Sequence, residues 1–151
     1  MKPILTSPLE FAPLLAFGAH PDDIEFGCGG VIAAETRAGR PAHFIVCSRG
    51  EAGSYGTSEI RTAETENAAK VLGAAAEFLE LDGDAHLEIR AAHAIQIAAA
   101  LRRIRPGIVL APSIVENQHP DHWRLGKLVR DAARIARSGK IRELAGAPPH
   151  K

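Results

Sequence analysis

The chain has little of what most often settles a small protein's class at a glance. Only two cysteines, Cys28 and Cys47, occur in 151 residues, too few for a disulfide framework, so both are expected as reduced thiols. Neither sign of charge is in excess, since 18 Lys and Arg balance 18 Asp and Glu. A surface that tracks phosphates needs a basic surplus, so nucleic acid is not an expected partner. No uninterrupted apolar run reaches the roughly 20 residues of a membrane span, and Met1-Lys2-Pro3 leads into no secretory core. No membrane partner and a cytoplasmic location are the matching expectations. Solenoid-type repeats and low-complexity stretches are lacking too. What is present is ordinary: 46% hydrophobic and 24% charged residues, in a length that suits one domain with its own core.

Apolar runs and their punctuation give an alternating order. Leu14–Phe17, between Pro13 and Gly18, is short enough for a buried strand, and Phe44–Cys47 after Pro41 is a second. Phe78–Leu81 is a third, more polar candidate, and Ile108–Ala111 a fourth. Helical spacing is found over about Gly30–Arg37, Ser58–Leu72 with Ser58 as its cap, Ile89–Arg105 and Asp121–Arg137. No regular element is expected in the tail holding Pro148-Pro149. Strand and helix alternate four times, which predicts an α/β domain with a mainly parallel sheet and helices on both faces.

Ligands of open parallel sheets collect beyond the carboxyl ends of the strands. The residues following the four strands therefore form one candidate set: His20, Asp22, Asp23 and Glu25; Arg49 and Glu51; Asp82, Asp84 and His86; Glu116, His119, Asp121 and His122. Two of the turns share a pattern, His20-Pro21-Asp22-Asp23 and His119-Pro120-Asp121-His122. Proline suits the first helical position, where its missing N–H had no partner. His20 with Asp23, and His119 with His122, would then share one side of a first turn. Imidazoles and a carboxylate so placed suit Zn²⁺ or a related divalent ion with a position open to water.

Plainer roles compete. Asp22 and Asp121 can simply be helix caps, and His43, His93 and His150 read as surface or satisfied core residues. Arg61 reads as a solvated charge and Cys28 as a small packed hydrophobe. Gly27, Gly29 and Gly30 lack the G-x-G-x-x-G spacing of a dinucleotide site, so they are expected to let a helix approach the sheet. The joint occurrence of both His-Pro-Asp turns is what raises the metal reading above these.

Ala19-His20-Pro21-Asp22-Asp23-Ile24-Glu25 with Gly27, Gly29 and Gly30 resembles the first signature of the PIG-L/LmbE family of zinc-dependent de-N-acetylases. His119–His122 resembles the second, and Arg49–Gly53, Gly56-Thr57, Arg61 and Glu64 resemble the loop and helix between them. The likeness runs from Leu14 to Ala136. It implies a Rossmann-like three-layer sandwich, with Zn²⁺, or Fe²⁺ or Mn²⁺, held by His20, Asp23 and His122. It makes Asp22 the general base, His119 the electrophilic partner or general acid, and Asp121 the residue orienting His119. Glu51, Arg61 and Asp84 would contribute to the acetamido-sugar pocket. The implied reaction removes an N-acetyl group from an N-acetylglucosamine-type conjugate, and the middle segment is similar to the bacillithiol-pathway branch, which acts on an N-acetylglucosaminyl malate. Either Asp22 or His119 would protonate the departing amine. The resemblance also implies a homo-oligomer, and a single domain over 1–151 that lacks the family's C-terminal region. A metal hydrolase for another amide or a phosphoester, and a non-catalytic sugar-binding module, are the alternatives.

Overall fold

The structure is a computed structural model and describes residues 12–116 and 118–151. Its elements run β1 (Leu14–Gly18), α1 (Asp23–Arg37), β2 (Ala42–Val46), α2 (Ser58–Val71), β3 (Ala74–Phe78), α3 (Ala91–Ile104), β4 (Ile108–Leu110) and α4 (Pro120–Ile135), followed by a 3-10 turn over Arg142–Leu144. All strand pairs are parallel, in the order β3-β2-β1-β4. The fold is the α/β sandwich that the alternation predicts.

Period-two alternation divides the core. Leu15 and Phe17 of β1, with Ile45 of β2, pack among Ile97 and Leu101 of α3 and Leu125 and Leu128 of α4. Leu14 and Ala16, with Phe44 and Val46, face the other way, onto Ile24 and Ile32 of α1 and Ala69 of α2. Successive strand residues point to opposite faces, so β1, buried at all five positions, needs helices on both sides. Among the described residues no helix is long and apolar enough to cross a membrane.

Several boundaries differ from expectation for local reasons. Helix α1 begins at Asp23 rather than near Gly30. Glycine lowers helix propensity, but burial of Ile24 and Ile32 on the sheet outweighs it. Strand β3 occupies Ala74–Phe78 rather than Phe78–Leu81. Its three alanines are weak strand formers, and what fixes it is register with β2, from Ala42 opposite Ala74 to Val46 opposite Phe78. Thr57, in an extended conformation, caps α2 in place of Ser58, its hydroxyl accepting from the Ile60 N–H at 3.3 Å.

The glycine expectation is also corrected. A Cβ at Gly27 or Gly30 would meet nothing within 4 Å, and one at Gly29 would only touch Leu72. Close approach occurs instead at Gly126 of α4, where a Cβ would run into the carbonyls of Pro112 and Ser113. That bare position seats α4 on the segment after β4 and so sets the height of His122, one turn earlier.

Candidate functional site

Strand β1 has β2 on one side and β4 on the other, and the helices that follow β1 and β4, α1 and α4, pack on opposite faces of the sheet. The crevice of such a sheet opens where neighbouring strands part in this way, here at the carboxyl ends of β1 and β4. Both His-Pro-Asp segments arrive there, one directly after β1 and the other as the start of α4. Pro120 opens α4 as its position predicts, behind a His119 cap. Pro21 does not open α1, because the helix starts two residues later, after an Asp22 in the left-handed region at φ 89°.

That left-handed step turns Asp23 back toward the strand end. The N–H groups of Ala19 and His20 donate to Asp23 Oδ2 at 2.9 and 3.0 Å. Its Oδ1 is 3.0 Å from His122 Nε2, and Oδ2 is 3.6 Å from His20 Nδ1. The rings of His20, His119 and His122 have centroids 4.6, 5.4 and 5.7 Å apart pairwise. Ligand atoms of His20, Asp23 and His122 all lie within 4.8 Å of one another. Tetrahedral N and O ligands of zinc are about 3.3–3.5 Å apart, so these donors need only small movements to share one divalent cation. Two imidazoles and one carboxylate fit Zn²⁺ by donor type, and Fe²⁺ or Mn²⁺ as well.

Charge around these groups follows from the packing. Burial alone would lower the His20 pKa, but the carboxylates of Asp23, Asp84 and Asp121 overcome it and raise it to about 9 in the metal-free chain. Burial likewise opposes ionisation of Asp23, yet its hydrogen bonds with His20 and the nearby His122 hold the carboxyl below the usual range. Asp22 is pushed the other way: burial raises its pKa, with Arg61 working against the rise. Cys28 and Cys47 are both raised, chiefly by burial, which disfavours the reactive thiolate form.

The remaining expected residues are also here, in partly different relations. Asp22 is 54% exposed and receives an Arg61 N–H at 3.0 Å, and the same guanidinium nitrogen donates to the Pro21 carbonyl at 2.8 Å. Arg61 is therefore no solvated charge: Gly50, Gly53 and Gly56 of the loop before α2 all approach its side chain. The Asp121 carboxylate lies 3.9 Å from His119 Nδ1, beyond hydrogen-bond range. The bond between these residues is made by the Asp121 backbone N–H, donated to His119 Nδ1 at 3.3 Å. The Asp121 carboxylate turns instead to His20 Nε2 at 3.2 Å and accepts from the Ala85 N–H at 2.8 Å.

Asp84 also faces His20, with Oδ1 3.1 Å from Nε2. Glu51 accepts from the N–H groups of Arg49 and Asp84, each at 3.2 Å. Others of the strand-end set are engaged elsewhere. Asp82 meets Arg90 and His93, Arg49 meets Glu80 and Thr62, and His86 donates to the Asp84 carbonyl. His93, read as a surface or satisfied core residue, is buried and bonded to the Glu88 carbonyl.

A cavity of about 650 Å³ adjoins Asp22, Asp23 and His122 and extends between Phe26 and Cys28 of α1 and the stretch Val109–Ser113. Sequence reasoning missed this wall, because neither a helix flank nor a strand edge carries a motif. It also missed the left-handed turn at Ala85 (φ 64°), which sends that N–H to Asp121 and which no residue type there announces.

Known proteins resemble this arrangement of elements. A 4-oxalmesaconate hydratase from Pseudomonas putida is 28% identical over 150 residues, covering 89% of this chain and 58% of its own length. A diacetylchitobiose deacetylase from Thermococcus kodakarensis is 29% identical over 150 residues, covering 91% and 56%. The crystal structure of N,N'-diacetylchitobiose deacetylase from Pyrococcus horikoshii matches with a TM-score of 0.86 at 25% identity, over 93% of this chain and 57% of that one. The chain thus spans less than two thirds of the length of each of these relatives. Residues 15–133 match the family described as PIG-L, GlcNAc-PI de-N-acetylase. That stretch includes both His-Pro-Asp turns and every residue placed around them above, and the chain belongs to the PIG-L family.

Proposed function

We propose that this chain carries the metal-binding and catalytic residues of a hydrolase that removes the acetyl group from an N-acetylglucosamine-type sugar, yielding acetate and a free amine. The observation that carries this reading is the meeting of His20, Asp23 and His122 within 4.8 Å, with a carboxylate outside that set, Asp22, beside them. Membership of a de-N-acetylase family and likeness to two chitobiose deacetylases supply the substrate class.

A divalent cation held by His20, Asp23 and His122 supplies Lewis acidity toward an amide carbonyl and lowers the pKa of water toward about 7. The chain's own groups do the rest. Burial makes Asp22 more basic than a free aspartate, against the pull of Arg61, which suits a proton acceptor for attacking water. His119 accepts the Asp121 N–H at Nδ1, which leaves its Nε2–H to donate a hydrogen bond to a developing oxyanion. The proton that Asp22 takes from water passes to the departing amine. Of the residues the resemblance gives to the sugar, Arg61 bonds to Asp22, Glu51 accepts from the Asp84 N–H, and Asp84 lies on His20.

Metal-stripped protein reloaded with Zn²⁺, Fe²⁺ or Mn²⁺ tests the reading against N-acetylglucosamine, diacetylchitobiose and an N-acetylglucosaminyl malate. Acetate and amine should appear in equal amounts, vanish on chelation and return with about one metal per chain. Hydration of 4-oxalmesaconate without acetate release would replace deacetylation by the reaction of the hydratase relative. Sugar binding with no turnover at any metal loading would make the chain a binding module.

Metal uptake should itself depend on pH with a definite sign. A proton on His20 competes with the cation, and the metal-free pKa is about 9. Below that pH, affinity should rise about tenfold per pH unit and then level off. Chelator competition for Zn²⁺ between pH 6 and 8 measures the slope, and a flat profile would exclude His20 from the ligand set.

A further inference from the structure

His20 has two ring nitrogens, and the site reading above uses only one of them. Its Nδ1 lies on the Asp23 side, 3.6 Å from Oδ2. Its Nε2 points away, into a pair of carboxylates from two other loops: Asp84 Oδ1 at 3.1 Å and Asp121 Oδ2 at 3.2 Å. All three side chains are well covered, at 12% exposure for His20, 10% for Asp84 and 2% for Asp121. We infer that Asp84 and Asp121 act together as a carboxylate clamp on His20 Nε2, making Asp84 a positioning residue for the metal ligand. The inference rests on His20 being a metal ligand.

The clamp is anchored on its far side by backbone. Asp121 Oδ2 accepts from the Ala85 N–H at 2.8 Å, and its other oxygen is 3.7 Å from Arg124. Asp84 Oδ2 accepts from the Ala52 N–H at 3.2 Å, while the Asp84 N–H donates to Glu51 at 3.2 Å. Neither carboxylate is free to swing toward a ligand without giving up a partner. The loop that delivers Asp84 adopts left-handed backbone at Asp82 (φ 57°) and Ala85 (φ 64°). A left-handed alanine costs about 1 kcal/mol or more, and here it is the conformation that presents the Ala85 N–H to Asp121.

The consequence for His20 follows from counting protons. A neutral imidazole has one N–H, and two acceptors at Nε2 hold it there. Nδ1 is left with its lone pair on the side of Asp23 and His122, the form that binds a cation. The same count argues against a second cation between the carboxylates, because an N–H pointing at them offers it no lone pair. Each carboxylate oxygen has two lone pairs, so a sugar hydroxyl at Asp84 need not displace His20.

Zn²⁺ affinity measured by chelator competition separates these roles, using the wild type, Asp84→Asn, Asp121→Asn and the double variant. At position 84 the Ala52 N–H holds the Asn oxygen, so the Asn N–H faces His20 and favours the opposite tautomer. At position 121 the oxygen stays on the Ala85 N–H and His20, and the change removes the charge. Each single change should weaken Zn²⁺ binding about 10- to 100-fold, and the double change by less than the product, since both carboxylates share one N–H. Long-range ¹H–¹⁵N correlation on the zinc-loaded wild type should place the His20 proton on Nε2, a readout that does not depend on any variant folding. If that proton is on Nδ1, the clamp is wrong. It is equally wrong if Asp84→Asn keeps full Zn²⁺ affinity and only raises KM for the sugar, or if the wild type binds two Zn²⁺ and the variants one. A wild type that binds no Zn²⁺ removes the metal reading and the clamp with it.

Discussion

Asp22→Asn should leave a folded, metal-loaded protein whose acetate release is lower by about 10²–10⁴-fold, the usual worth of a positioned proton acceptor. The structure makes this substitution unusually clean. Asp22 stands at the start of α1 but makes no side-chain cap bond, so losing its charge removes no helix cap. Its backbone is left-handed at φ 89°, a region asparagine enters far more readily than alanine. The Asn variant therefore avoids the strain that an Ala variant would confuse with chemistry. The Arg61 N–H that now meets Asp22 Oδ2 can still reach the Asn side-chain carbonyl. Ligand atoms on His20, Asp23 and His122 are not altered. Metal content and single-turnover acetate release, measured on the same sample, check the expectation. Turnover within about fivefold of wild type, with metal bound, would place the proton acceptor elsewhere.

The convergence of the two His-Pro-Asp turns is legible in sequence because each part of it obeys a local rule. Four apolar runs separated by helical spacing imply a parallel sheet, and polar residues after the strands then share one rim. What sequence reasoning could not supply were relations decided across the fold. Asp121 follows His119 by two positions, which invites pairing between their side chains. Yet α4 turns the Asp121 carboxylate inward, to 1% exposure of the whole residue, where His20 and the Ala85 N–H wait. Arg61 looks like one charge among many on a polar helix, and only the packed structure shows three loop glycines folded around it. Strand β3 begins four residues before the apolar run that marks it in sequence, for a related reason: its alanines have no intrinsic strand signal, and pairing with β2 imposes one. Local chemistry writes capping, alternation and ligand type into the chain. Tertiary packing decides which of several nearby polar groups becomes the partner.

Arg102→Met should destabilise the fold strongly while leaving the site itself intact. Arg102 is on α3 and only 3% exposed, and no carboxylate pairs with it among the described residues. Its guanidinium instead donates to four carbonyls: Ala136 through Nε at 3.0 Å, Leu144 and Ala147 through Nη1 at 2.7 and 2.8 Å, and Ser138 through Nη2. Ala136 is the C-terminal cap of α4, where the helix dipole presents negative potential, and the other three belong to the segment that follows. One side chain thus neutralises a helix end and holds the 3-10 turn at Arg142–Leu144, with Leu144 buried beneath it. This segment reads in sequence as lacking any element, because its order comes from an arginine some 40 residues away. Methionine fills the stem's volume but leaves four carbonyls to find water. Hydrogen bonds to charged groups are worth about 1.5–3 kcal/mol each. Allowing for water entry and for the guanidinium no longer being desolvated, a net loss of about 3–5 kcal/mol is expected. Urea unfolding should show the lowered midpoint, with faster proteolysis between Arg137 and His150. Helix α4 is about 24 Å long, and His119 and His122 sit at its other end. Zn²⁺ affinity of the folded fraction should therefore stay near that of wild type, and a large drop in it would mean that the C-terminal end of α4 sets the position of its N-terminal ligands.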